Sequence, residues 1–145
     1  MNPWWWVAPL VVAVGWFVSR RFQKSFELRK ETRAQINDVT ELVEEVQEAC
    51  YKYYAKPGND AEIVEVGQEI RCKAKQIGIR VGNLSKVLGK PIVTQAWKFR
   101  SAASIRLDDA ARPAVPPNDG IFEEISTAGG TLTNLLEQAF RDEFS

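Results

Sequence analysis

The stretch MNPWWWVAPLVVAVGWFVSRRFQK (residues 1–24) must be cut away, enter a membrane or fold into a core, and the choice fixes the surroundings of all that follows. From Trp4 to Val18 fifteen consecutive residues carry no charge. At about 1.5 Å per residue a helix of that length covers roughly 22 Å, and one reaching Phe22 roughly 28 Å. A hydrocarbon core of about 30 Å normally takes about 20 residues, but local thinning and snorkelling side chains let a shorter helix span it. Arg20, Arg21 and Lys24 have the long stems that snorkelling requires.

Tryptophan favours the headgroup level, where its ring is dry and its N–H hydrated. Trp4, Trp5 and Trp6 stand at one end of the run, and Trp16, Phe17 and Phe22 at the other. Pro3 can open a helix without losing a hydrogen bond, whereas Pro9 is expected to kink the span. A cleaved leader needs a basic start and a small-residue cleavage site. Neither is present, because no Lys or Arg precedes Arg20 and the run ends in Trp-Phe-Val. The expectation is an uncleaved single-pass anchor in the cell membrane. Its basic flank lies wholly on the C-terminal side, which places the N-terminus outside and the C-terminal domain in the cytoplasm. Cys50 and Cys72 are then expected as reduced thiols.

The rest of the chain reads as helix, giving an all-α fold: one N-terminal transmembrane helix followed by a small antiparallel bundle of about four helices. Residues 1–22 form the expected anchor, 23–33 a basic stalk and 34–145 the helical domain. Ile36, Val39, Val43, Val46, Cys50 and Tyr53 recur in steps of three and four, the seam of an amphipathic helix and a possible oligomer interface. PGND (57–60) stops that helix, and Asn59 with Glu62 fits a capping box opening the next. There Ile63, Ile70, Ile77 and Leu84 repeat every seven residues, with Ala74, Val81 and Leu88 beside them. Gly67, Gly78 and Gly82 weaken this helix by about 1 kcal/mol each, so close contacts or a bend are expected to compensate. The hairpin covers 34–89, and a third helix is expected over 91–111, burying Val93, Ala96, Trp97, Arg100, Ala103 and Leu107 and leaving Phe99 exposed. RPAVPPNDG (112–120) includes the proline-rich connector 112–118, and a last helix over 119–145 is expected to break at Gly129-Gly130.

Formal charge is zero, but it is segregated along the chain. Residues 34–69 hold two basic and nine acidic groups, and 70–107 hold nine basic and none acidic. In an antiparallel hairpin about PGND, Glu44 lies level with Lys73 and Asp38 with Arg80, so the first helix neutralises the basic block up to Arg80. Lys86, Lys90, Lys98, Arg100 and Arg106 have no such partner and, with Phe99, form a candidate patch for an anionic ligand or nucleic acid. The acidic C-terminal segment, folding over this surface, is the competing cover.

The chain has no histidine, which removes the commonest general base and metal ligand, and two cysteines supply at most two zinc ligands. Cys72, between Arg71 and Lys73, has a basic neighbourhood but no base to activate it. GNLSKVLGKP (82–91) fails as a phosphate loop, since its glycines are seven apart and Pro91 stands where a hydroxyl is needed. No catalytic, cofactor or metal site is expected. These readings point to a non-enzymatic, membrane-anchored module that meets lipid, a protein partner or further copies of itself. The alternative is a regulated membrane-perturbing effector whose helical domain senses an anionic ligand or partner.

Overall fold

In a computed structural model that describes residues 3–145, with side chains from Trp5 onward, a 3-10 turn (Pro3–Trp6) leads into four α-helices. These are α1 (Val7–Tyr54), α2 (Ile63–Leu88), α3 (Val93–Ser104) and α4 (Gly120–Phe144). Among the described residues there is no strand. Helix α1 packs against α2 and α4, and α3 closes the ring between them. Facing pairs show the directions: Asp38 meets Arg80 at 2.9 Å across α1 and α2, and Arg33 meets Glu137 at 2.6 Å across α1 and α4. The result is an antiparallel four-helix bundle built on residues 32 onward, with the first half of α1 projecting from it.

The heptad pattern explains the α1–α2 pair. All six seam residues of α1, Ile36 through Tyr53, are at most 4% exposed, and the seven expected core positions of α2 are at most 3% exposed. Each such aliphatic or aromatic side chain contributes about 1.5–3 kcal/mol by leaving water. The seam is thus filled by the chain's own helices. It also starts one step earlier than the sequence suggested, at the buried Thr32. The register differs by one residue from the expected level, because Lys73 meets Glu45, 3.1 Å away, rather than Glu44.

Several local expectations are corrected by the packing. No side chain caps α2, which begins at Ile63; instead Asp60 Oδ1 accepts from the backbone N–H of Glu62 at 2.9 Å, an Asx turn in place of the Asn59–Glu62 box. Gly89, at φ 61°, ends α2 in the left-handed conformation that favours glycine. Of the α2 glycines only Gly67 makes a close contact, under the Tyr53 ring, while Gly78 and Gly82 face open space. Helix α4 continues through Gly129-Gly130, and Gly129 sits tightly against α1 and α3: an added Cβ would collide with Gln47 Nε2 and lie 2.9 Å from Val43 Cγ1 and 3.2 Å from the Phe99 ring. Asp119 caps α4, its side chain accepting from Ile121 N.

The N-terminal expectation changes most. Among the described residues no helix is long and apolar enough to cross a membrane. The α-helix starts only at Val7, leaving twelve residues to Val18, and an eighteen-residue stretch from Val7 already takes in Arg20, Arg21 and Lys24. Pro9 falls in the first turn of α1, where its missing N–H costs no α-helical bond, so it neither breaks nor ends the helix. The side chain of Trp4, expected among the interfacial aromatics, lies outside the described residues.

The connector between α3 and α4 is fastened by one buried cation. Arg112 is 1% exposed, and its guanidinium donates to the carbonyls of Tyr53 (3.1 Å), Tyr54 (3.2 Å) and Lys56 (2.8 Å) at the end of α1. It also lies over the Tyr53 and Tyr54 rings, at 4.8 and 5.0 Å from their centroids. A cation here complements the negative end of the α1 dipole and satisfies carbonyls that the helix leaves free. Arg112→Met should lower the unfolding free energy by about 2–4 kcal/mol, because the Tyr53 and Lys56 carbonyls lose their donor in a dry site. Urea denaturation followed by circular dichroism measures this, and parent-like stability of the variant would show that the guanidinium does not hold the end of α1.

Candidate functional site

Two surfaces and two thiols hold the residues that the sequence marks for function. The first surface is the projecting arm of α1. Every residue from Trp5 to Glu31 is exposed, including Trp5, Trp6, Trp16, Phe17, Arg20, Arg21 and Lys24. Leu10, Val11, Val12 and Val14 are each more than half exposed, and Arg20 lies over the Trp16 ring at 4.8 Å. Nine consecutive exposed residues from Leu10 to Val18, eight of them apolar apart from Gly15, cover every side of an α-helix at about 100° per residue.

The second surface is a groove of about 780 Å³ between α3 and α4, with Trp97, Lys98 and Ile105 on one wall and Glu123 and Glu124 on the other. Trp97 is 65% exposed and Phe99 is fully buried, the reverse of the sequence expectation. The reason is a rotation of α3: Ile92, Ala96, Phe99 and Ala103 form the inward stripe, which leaves Val93 and Trp97 outside. The helix also ends at Ser104, short of the expected limit at residue 111.

The candidate anion patch is not one surface. Phe99 belongs to the core, Lys90 pairs with Asp142 of α4 at 3.5 Å, and Arg106 pairs with Asp109 at 3.0 Å. Lys86, Lys98 and Arg100 are exposed and make no ion pair among the described residues. In the earlier part of the basic block Arg71, Lys73 and Arg80 are engaged as well. Arg71 reaches Asp108, and Lys73 sits between Glu69 and Glu45, whose carboxylates hold its ammonium above the ordinary range. Cys72, between them, is a free and exposed thiol.

Cys50 is buried on the seam, and burial pushes its thiol up to about 12. Its Sγ lies 3.8 Å from the Ala103 carbonyl, which also accepts from the Tyr54 hydroxyl at 2.9 Å, and burial likewise raises Tyr54 to about 12. Tyr53 donates to the Leu107 carbonyl at 2.8 Å. These groups fasten the end of α3 to α1, so their chemistry is structural. Among the described residues no cluster of three or more Cys, Asp and Glu side chains is placed to hold a metal ion. Sequence reasoning passed over Arg112, although an arginine immediately before Pro113 in an otherwise apolar connector is a usable signal, since the residue before proline is held extended.

No protein-family model matches the chain, and it has no match among curated proteins or solved structures.

The rotation of α3 has a direct check. Phe99→Ala should destabilise the bundle by about 3–5 kcal/mol through loss of a buried ring, whereas Trp97→Ala should stay within about 0.5 kcal/mol of the parent. Equal losses in denaturant titrations would place Trp97 in the core. The alkaline limb of stability offers a second check. Cys50 and Tyr54 ordinarily ionise at 9.0 and 10.0 and both are raised on folding, so their contribution is full below pH 9.0 and lost as pH climbs toward about 12. The urea midpoint should fall across that window, and Cys50→Val should flatten its lower part. A midpoint unchanged up to pH 12 would mean that neither group stays protonated inside the fold.

Proposed function

We propose that this chain is a non-enzymatic, membrane-anchored helical module, with the arm of α1 inserted in lipid and the bundle tethering a partner on the cytoplasmic side. The observation that carries the reading is the exposure, on every side of one helix, of Trp5, Trp6, Leu10, Val11, Val12, Val14, Trp16 and Phe17. Leaving one such side chain in water forgoes about 1.5–3 kcal/mol, so the arm as a whole forgoes on the order of 10 kcal/mol. That matches the entire stability of a typical domain, and a helix apolar all round needs lipid or protein around it. Lipid is favoured because indoles stand at the outer end and again near the arginines.

Length limits how the arm can sit. Twelve α-helical residues from Val7 to Val18 rise roughly 18 Å and the 3-10 turn adds about 8 Å, short of a core about 30 Å thick. Thinning of the bilayer and snorkelling by Arg20 and Arg21 make up the difference. The one-sided basic flank supports the cytoplasmic placement of the bundle. No polar side chain occurs from Trp5 to Val18 apart from the indole N–H groups, so the arm supplies no wet lining for a pore. Trp97 and Ile105, exposed at the rim of the α3–α4 groove, are the apolar anchors that support partner binding.

In cells the full chain should sediment with membranes and resist extraction by alkaline carbonate, and a reporter joined after Ser145 should be active in the cytoplasm alone. Val11→Lys with Val14→Lys should release the protein from the membrane fraction. Recovery of the parent chain in the soluble fraction, or periplasmic reporter activity, would refute the reading.

A further inference from the structure

The part of α1 between the arm and the bundle has a separate logic. Residues 20–31 carry five cations, Arg20, Arg21, Lys24, Arg29 and Lys30, and two acids, Glu27 and Glu31. All seven are exposed, and among the described residues none of them is in an ion pair. Phe22 and Phe26, one turn apart, are 72% and 70% exposed. At about 100° per residue, Val18, Phe22, Phe26 and Arg29 fall within an arc of roughly 80°. Arg21 flanks this stripe on one side and Lys30 on the other. Glu27 and Glu31 lie on the opposite side of the helix, in line with Arg20 and Lys24.

The segment thus has one face that holds two phenylalanines, three cations and Ser25, with no acid among them. No other helix packs on it, since contact with the bundle begins at Thr32. Its net charge over residues 20–31 is +3, from five cations less two acids, and the remaining residues 32–145 have fourteen cations and seventeen acids, a net −3.

We propose that this face, Phe22 and Phe26 with Arg21, Arg29 and Lys30, docks on anionic phospholipid headgroups, while the negatively charged bundle is held off the same surface. The proposal rests on the membrane reading and goes beyond it by naming the lipid and the orientation. Phenylalanine rings enter the acyl boundary while guanidinium and ammonium groups meet phosphates, the arrangement of an interfacial amphipathic helix. Phe26 lies eight residues past Val18, roughly 12 Å farther along the helix. An upright helix would carry it out of the interface, whereas a tilt toward the Phe22–Phe26 side lays both rings against the bilayer. Charge complementarity selects the lipid, since each basic residue near an anionic surface strengthens binding about fivefold and the effect decays within a Debye length.

The test uses the full chain in a Trp97→Phe background, so that only indoles of the arm report. Vesicles of phosphatidylcholine alone are compared with vesicles that also contain phosphatidylglycerol, by flotation and by indole quenching with brominated lipid. Partition should be roughly a hundredfold tighter on the anionic vesicles at low salt, from three basic residues, and the advantage should vanish at high salt. Arg29→Gln with Lys30→Gln should cut that advantage roughly 25-fold and leave binding to phosphatidylcholine unchanged. Both positions are exposed and outside the bundle, so helicity and melting temperature should match the parent. Equal partition of the parent on both vesicles, with indoles quenched, overturns the anionic docking face and leaves the lipid-inserted arm standing. Tight binding on anionic vesicles alone, with the indoles unquenched, does the converse. Failure to bind either vesicle removes both.

Discussion

The bundle depends on how the C-terminal end of α1 is closed. A helix end leaves carbonyls without donors, and in a buried setting each must find one. Here a single guanidinium supplies Tyr53, Tyr54 and Lys56, while the connector backbone adds the N–H of Val115 to the Tyr54 carbonyl at 2.8 Å. The bond from Gly58 N to the Arg112 carbonyl, 2.7 Å, ties the PGND turn to the same point. The hydroxyls of Tyr53 and Tyr54, in turn, satisfy the Leu107 and Ala103 carbonyls. Two loops and two helix ends therefore share one dry polar junction. The proline-rich connector has no regular structure of its own, and this junction fixes its course and through it the approach of α4.

The other end of α1 is governed by continuity. From Ser19 to Lys56 the sequence contains neither glycine nor proline, and the structure is one uninterrupted helix from Val7 to Tyr54. An apolar arm, a charged segment and a bundle wall are thus carried on a single rod about 72 Å long. Without a hinge, the azimuth of Phe22 and Phe26 and the azimuth of the buried seam are mechanically linked. Any tilt imposed on the arm is passed to the bundle as rotation of the whole domain. The ion pair between Arg33 and Glu137, with Arg33 also over the Phe140 ring at 5.3 Å, clamps α4 at the point where the rod enters the bundle.

What could be read from the sequence follows from how often a signal repeats. The α1 seam and the seven core positions of α2 were legible because each pattern recurs over several turns, and packing of two long stripes leaves little freedom. The hairpin charges were legible to within one residue for the same reason. Helix α3 has only twelve residues, and there two competing stripes, one through Trp97 and one through Phe99, fit the spacing equally well. The packing selects the stripe that also buries Ile92, which lies beside Pro91 and outside the stripe through Trp97. Propensity, a local quantity, makes Gly129 look like a helix breaker, whereas its place in the fold is set by the approach of Gln47, Val43 and Phe99 from two other helices. Arg112 was hidden because its partners are backbone carbonyls, which leave no mark in side-chain spacing.

The candidate surfaces were legible to different depths for similar reasons. Exposed apolar residues on the arm needed no tertiary information, since nothing in the sequence offered them a partner at helical spacing. The basic block misled in the opposite direction, because a run of like charge along the chain is dispersed by helical geometry over several faces. Arg71, Lys73 and Arg80 turn toward carboxylates of neighbouring elements, and Lys90 meets α4. Exposed pairs of this kind contribute little stability, under about 1 kcal/mol each. Their consequence is electrostatic housekeeping: much of the positive charge of 71–106 is answered within the bundle, and the unanswered cations of α1 lie at residues 20–30. Charge that folding leaves uncompensated on one segment, beside an apolar arm that folding leaves uncovered, points to a single external surface able to satisfy both.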